Sequence, residues 1–160
     1  MPKPIKPAVG TVKAIAFRNN RREAMQEIDA CEILTGVGLA REDRPANNRQ
    51  VTILSHESWL ASCQQLGTDI SWLLRRVNFL VEGLDFQETV GCALMIGEAR
   101  IIIRGETKPC ALMDYQHQGL REALKPNWRG GVFGEVLKGA TVNIGDKVTI
   151  QHLEHNSRLK

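Results

Sequence analysis

Val132-Phe133-Gly134-Glu135-Val136-Leu137-Lys138-Gly139-Ala140-Thr141-Val142-Asn143-Ile144-Gly145-Asp146-Lys147-Val148-Thr149-Ile150-Gln151 decides the fold class. It divides into three short runs, 132–137, 140–144 and 147–151, separated by Lys138-Gly139 and Gly145-Asp146. The runs carry β-branched residues in partial alternation, and the glycine-containing pairs between them are turn chemistry. The spacing predicts a β-meander. Immediately upstream, 91–105 holds two more strand-like runs flanking Gly97. One short echo links the two regions: Leu94-Met95-Ile96-Gly97-Glu98 and Val142-Asn143-Ile144-Gly145-Asp146 read as similar hairpin corners.

The rest of the chain fits the same class. Further strands are predicted at Val9–Phe17, 31–35, 50–54 and 77–82, the last stopped by Gly83. Ser55 is placed to cap a helix, with Glu57 in its first turn and Trp59, Leu60, Cys63 and Leu66 at helical spacing up to Gly67. Asp114 is placed to cap a second helix that Lys125-Pro126 stops. Many short strands with glycine turns and two or so short helices predict a mainly β fold, closed or nearly closed as a β-barrel. At 160 residues the chain suits a single domain. Residues 1–8 read as a flexible lead-in, 9–152 as the domain and 153–160 as a polar tail. The loop from Gly36 through Arg41, Asp43, Pro45, Asn47 and Asn48 to Arg49 is long and polar, which often marks function.

Composition narrows the function. A formal charge of +3 with interspersed signs and few aromatics argues against nucleic acid and suits a small anionic ligand at a local basic patch. Met1-Pro2-Lys3-Pro4-Ile5-Lys6-Pro7 lacks the apolar core of a signal peptide, and no run is long enough to span a bilayer. These features predict no membrane association, a cytoplasmic location and reduced thiols. Cys31, Cys63, Cys92 and Cys110 are widely spaced without a C-x-x-C, which excludes a zinc ribbon or a compact disulfide framework.

Chemistry is concentrated at Gly105-Glu106-Thr107-Lys108-Pro109-Cys110. A thiol behind a proline, with Lys108 adjacent and Arg104 further back, has neighbours that favour thiolate, the form that attacks or binds metal. The same residue read alone is equally a small, inert hydrophobe. Arg49, Arg75, Arg76, Lys108 and Arg129 each stand at an element boundary, where barrel topology would gather them at one rim to bind a phosphate. Singly, each is an ordinary surface charge. Ser55-His56-Glu57 is not a triad, since sequence neighbours do not point at one another, and there is no nucleophile elbow. A Cys110–His117 pair has only proximity in sequence to support it. No histidines have metal-ligand spacing, and His152 and His155 fall at the tail.

The ordered set 49–57, 75–84, Gly91-x-x-Leu94-x-Ile96-Gly97-x-Ala99, Lys108-Pro109-Cys110, Trp128-Arg129-Gly130-Gly131-Val132 and Gly145-Asp146-Lys147-Val148 resembles the MOSC domain family, named for the C-terminal domain of molybdenum cofactor sulfurases. The resemblance covers roughly residues 10–150. It implies a β-barrel like that of the pyruvate-kinase barrel domain and a pocket for the pterin-bound molybdenum cofactor. The family's cysteine falls on Cys110, which ligates molybdenum in the mitochondrial amidoxime-reducing component and has been proposed to carry sulfur in the sulfurases. The family's Arg-x-Asn pattern falls on Arg76 and Asn78 as cofactor-binding residues; Arg49, Lys108 and Arg129 extend that set on chemistry and position.

The resemblance further implies a small-molecule substrate, with reduction of N-hydroxylated compounds as the reaction. Because it covers one domain, with no desulfurase or iron–sulfur domain, it implies separate electron-transfer proteins or cofactor-supplying enzymes as partners. The alternative is a non-redox sulfur or cofactor carrier with a persulfide on Cys110. One departure is that many members carry a Gly-Asp pair where this chain has Gly38-Leu39-Ala40-Arg41-Glu42-Asp43.

Overall fold

The computed structural model describes residues 8–20, 22–42 and 47–152. Residues 1–7 of the expected lead-in, Asp43 and Pro45 of the long loop, and the 153–160 tail with His155 lie outside the described residues.

The first strand, β1 (Val9–Phe17), shows how two layers are built from one sequence. It begins by alternating between exposed and buried residues, but its last four residues are all buried. Its register against the neighbouring strand shifts between Val12 and Ala14, so Lys13 is the extra residue of a bulge. The bulge changes the strand's phase. Val12, Ile15 and Phe17 face the main core, while Ala14 and Ala16 face a second apolar layer.

The next strands are β2 (Gln26–Ile28), β3 (Ala30–Leu34), β4 (Gly38–Leu39) and β5 (Val51–Ser55), followed by α1 (His56–Leu66). A 3-10 turn at Trp72–Arg75 then leads to β6 (Phe79–Glu82), β7 (Ala93–Ile96) and β8 (Ala99–Glu106). Two short helices, α2 (Leu112–Gln116) and α3 (Leu120–Leu124), precede a 3-10 turn at Pro126–Trp128. The last strands are β9 (Val132–Lys138), β10 (Ala140–Asn143) and β11 (Lys147–Gln151).

Seven strands close into a barrel in the order β1-β11-β7-β8-β9-β5-β6, with β6 pairing back on β1. Val51, Ile53, Phe79, Ile101, Ile103 and Val132 are among the fully buried side chains filling it. Strands β5 and β6 form a parallel pair, which requires a crossover between them. Helix α1 and the Trp72–Arg75 turn supply it. They cover the barrel's outer face through Trp59, Cys63 and Trp72, packed with Leu54 and Leu80.

The expected strands are found, but the meander is not. Strand β9 pairs with β5 and β8, β10 leaves the barrel to pair with β3, and β11 returns to bridge β1 and β7. Alternation and turn residues specify strands but not partners, and here the partners come from far upstream. The two echoed corners do meet each other. A Cβ placed on Gly97 would lie 2.7 Å from Asp146 Oδ2, while Asp146 O accepts from Val12 N–H at 2.9 Å.

Ser55 caps α1, its Oγ accepting from Ser58 N–H at 3.3 Å, and Gly67 ends the helix. Leu60, expected on the buried face, is exposed. The single helix expected after Asp114 is two helices, giving three α-helices among the described residues. The chain breaks at Gly119, where φ is +88°. Asp114 lies inside α2 and instead accepts from Arg121 N–H at 3.2 Å, serving the start of α3. Among the described residues, no helix is long and apolar enough to cross a membrane.

Candidate functional site

The loop ending at Cys110 is held from its floor. Strand β8 runs out beside the start of β9, with Gly105 opposite Phe133 and Glu106 opposite Val132. The pairing then continues without a strand, since Thr107 N–H donates to Gly131 O at 2.8 Å. Gly130 is required here by close approach. A Cβ on it would stand 2.4 Å from Thr107 O and 3.4 Å from Pro109 Cδ. Asn127 and Trp128, just before it, both take left-handed backbone (φ 54° and 58°), which side-chain-bearing residues adopt only at a cost.

Arg75 closes the floor from the other side. Its side chain is buried, Nε donating to Gly130 O at 3.1 Å and Nη2 to Thr107 O at 2.7 Å, with Nη1 3.8 Å from Met113 Sδ. Burial pulls its pKa down to about 10; the neighbouring Cys110 acts in the opposite sense and the like charge of Arg49 in the same one. The guanidinium therefore stays charged at neutral pH. Above it Cys110 is exposed, whereas Cys31, Cys63 and Cys92 are buried. Cys110 O accepts from Met113 N–H at 2.9 Å, so the thiol sits where the clamped loop turns into α2.

The expected basic residues divide into two groups. Arg49 stacks on Phe133, its guanidinium carbon 4.7 Å from the ring centroid, and that ring lies across Gly105. Lys108 is exposed beside Cys110. Arg49, Arg75 and Lys108 thus surround the thiol's loop. Arg129 is directed elsewhere, donating to Gln65 Oε1 (2.6 Å) and Ala123 O (3.0 Å). Arg76 has left-handed backbone and reaches Glu23 O at 3.4 Å. Arg104 pairs with Glu135 across the β8–β9 ladder, so its charge is offset there.

Asn78 is fully buried. Its Oδ1 accepts from Thr52 N–H and Thr52 Oγ1 (both 3.1 Å), and its Nδ2 donates to Ala16 O (3.2 Å) and Glu42 Oε2 (3.0 Å). Those four bonds use the full capacity of the amide. It ties β1, β5 and the start of β6 to the 38–42 segment, where Glu42 also accepts from Arg18 N–H at 3.2 Å. The segment that departs from the family's Gly-Asp pattern is thus anchored through Glu42.

Sequence reasoning named Arg75 only as one boundary cation among several and missed Thr107, whose Oγ1 is buried without a hydrogen-bond partner. Two adjacent arginines entering a buried strand were the available signal, because one of them must point inward. His117 Nδ1 lies 3.0 Å from Gln118 O and makes no hydrogen bond with Cys110. A different thiol–imidazole contact exists, with Cys92 Sγ 3.2 Å from His152 Nδ1; burial pushes the Cys92 thiol up.

Ser55-His56-Glu57 is not a triad: Ser55 is the expected cap, and His56 and Glu57 form a polar corner that the sequence did not indicate. Glu57 accepts from Gly83 N–H, and His56 faces Glu82, which Lys13 shares. Ligand atoms of His56, Glu57 and Glu82 lie within 4.8 Å of one another. A cation there would compete with Lys13 and oppose the α1 dipole. A groove of about 500 Å³ runs between α1 and the segment after β6, lined by Ser58, Asp85, Gln87, Asn127 and Arg129. Cys110 is not part of it.

The fold is similar to that of the YuaD protein from Bacillus subtilis, at a TM-score of 0.79 and 17% identity, covering 93% of this chain and 99% of that one. It is also similar to YiiM from Escherichia coli (TM-score 0.66, 14% identity, 94% and 72% covered). YiiM from Geobacillus stearothermophilus gives a TM-score of 0.73 at 12% identity, with 89% and 75% covered. Comparison with curated proteins gives no match. The sequence model of the MOSC domain matches residues 41–149, from the anchored loop through the Cys110 site to the closing strand, and this chain belongs to the MOSC domain family.

Proposed function

We propose that this protein binds the molybdenum cofactor at the Gly105–Cys110 loop and reduces N-hydroxylated compounds with electrons from separate partner proteins. MOSC domains are associated with molybdenum cofactor binding in general. The observation that carries the reading to this chain is one exposed thiol, Cys110, on a clamped loop ringed by Arg49, Arg75 and Lys108. The donor set fits the group: a thiolate suits a soft-to-borderline metal, and cations suit the phosphate of its pterin. Thr107 Oγ1 adds an unused polar atom to the same loop.

When bound, the cofactor would supply oxygen-atom transfer, the substrate taking up two electrons and two protons and releasing water. Cys110 would hold the metal, with Lys108 and Arg49 attracting the anionic part. Arg76 would add a further cation, and Asn78, its amide filled by protein groups, would act by holding the strand start in place. Arg129, committed to Gln65 and Ala123 O beside the α1 groove, is left out of that set. Charge-assisted bonds contribute about 1.5–3 kcal/mol each, against about 12 kcal/mol for nanomolar binding. The arginines therefore cannot supply the affinity alone; ring burial and the Cys110–metal bond must add the rest.

The test is to produce the protein in a host with intact cofactor synthesis and assay it for molybdenum and fluorescent pterin oxidation products. Both are expected, and folded protein lacking both would refute the reading. Arg76→Ala is expected to weaken cofactor retention roughly ten- to a hundredfold. The exposure of Cys110 favours one second reading, a carrier holding a persulfide on that thiol within reach of a partner. Mass spectrometry showing a persulfide on Cys110 in metal-free protein would select it.

A further inference from the structure

The family pattern points to Arg76 and Asn78 and gives its neighbour Arg75 no role. Arg75 is the residue that costs most to place. Its side chain is buried, and both sides of its guanidinium donate to neutral backbone carbonyls, of Gly130 and of Thr107. No carboxylate among the described residues contacts it. The titratable groups that act on it are Cys110 and Arg49, and Arg49 carries a like charge. Burying a cation without a counter-ion is costly unless its field is answered by something nearby.

We infer that Arg75 is the positioning residue of the Cys110 site, pinning the thiol's loop to the Gly130–Gly131 turn and building a positive potential beneath the thiol that draws anionic reactants to it. The inference rests on Cys110 being the working thiol, but not on what Cys110 finally holds. The geometry separates two tasks. The hydrogen bonds to Thr107 and Gly130 fix where the loop lies, a task made sensitive to small displacements by packing so close that a Cβ on Gly130 would stand 2.4 Å from Thr107 O. The charge answers a different need, because neutral donors could satisfy those carbonyls at less desolvation cost. Lys108 is exposed and screened by salt, whereas a buried charge is screened much less. The persistent part of the field belongs to Arg75.

The test uses charge selectivity in cofactor-free protein. Cys110 is alkylated with anionic iodoacetate and with neutral iodoacetamide, and the modified site is confirmed by peptide mass spectrometry. Both reagents attack thiolate, so the ratio of their rates reports local potential independently of how much thiolate is present. The wild-type ratio is expected to exceed that of N-acetylcysteine amide by roughly three- to tenfold, and to stay above it in 0.5 M NaCl. Arg75→Gln should bring the ratio to within about twofold of the small thiol, and Arg75→Lys should keep at least half of the excess.

A wild-type ratio equal to that of the small thiol, or an excess abolished by salt, would overturn the inference. So would an Arg75→Gln ratio matching wild type, or an Arg75→Lys ratio falling as far as Arg75→Gln. If Arg75→Gln does not fold, the salt series and Arg75→Lys decide the matter. Loss of the cofactor reading would appear separately, as protein without molybdenum or pterin whose selectivity is intact.

Discussion

Cys110 and Cys31 are the same residue type in opposite settings, and both are testable. In the native protein, one of the four thiols is expected to react promptly with a bulky disulfide reagent, rising to all four in denaturant, with Cys110→Ser removing the native signal. Burial, with Glu42 nearby, pushes the Cys31 thiol up to about 12. The native state therefore keeps that proton to higher pH than the unfolded chain, whose thiol ionises near 9. The stability this contributes is full below pH 9 and is lost as pH rises towards 12. The stability difference between wild type and Cys31→Ala, measured by urea titration at several pH values, should accordingly shrink across that window. Nothing in the local sequence separates these two cysteines except what precedes them. Pro109 and Lys108 marked Cys110 as a candidate for chemistry without settling its exposure, while Cys31 sits inside an alternating run that buries every second residue.

At the level of elements, the strands and α1 were legible because their signals are local. Val9–Phe17 is an apolar, β-branched run that opens in alternation, and Ser55 and Gly67 bound a helix with buried Trp59 and Cys63. Removing the cap, Ser55→Ala, should cost about 1 kcal/mol in a denaturant melt. What could not be read is anything decided by approach between elements. Gly130 stands against Thr107 O because Arg75, from a distant turn, draws both segments together. Gly130→Ala is expected to lower stability by about 1–3 kcal/mol through overpacking. It should also shift Cys110 labelling, whereas a change at the open Gly145 should leave labelling unchanged; matching behaviour at both positions would show that the floor does not control the thiol.

For the whole molecule, the class and the closing of the barrel followed from the sequence, and the partners of the last strands did not. Alternation in β10 leaves Val142 as its one fully buried side chain, which says that one face is covered but not by what. The site suffered in the same way. Arg49, Arg75, Lys108 and Cys110 were named as candidates, but the burial of Arg75 was not read, because it depends on helices packed over the barrel wall. The interior is tightly filled, so Ile101→Ala should cost about 2–5 kcal/mol, with both cores lost together if the molecule unfolds in one step.

The pairing of β1 with β11 carries one more consequence, in time rather than in space. Gly10 lies opposite Val148, and Asp146 O accepts from Val12 N–H, so the first strand to leave a ribosome waits for the last. Contacts of such long sequence separation form slowly, and an unpaired strand edge invites wrong partners meanwhile. Arrested chains ending before Gly145 should therefore remain open to protease although most of the barrel has been synthesised, and chains extended well past Gln151 should resist it. Closure of this barrel waits on its last strand.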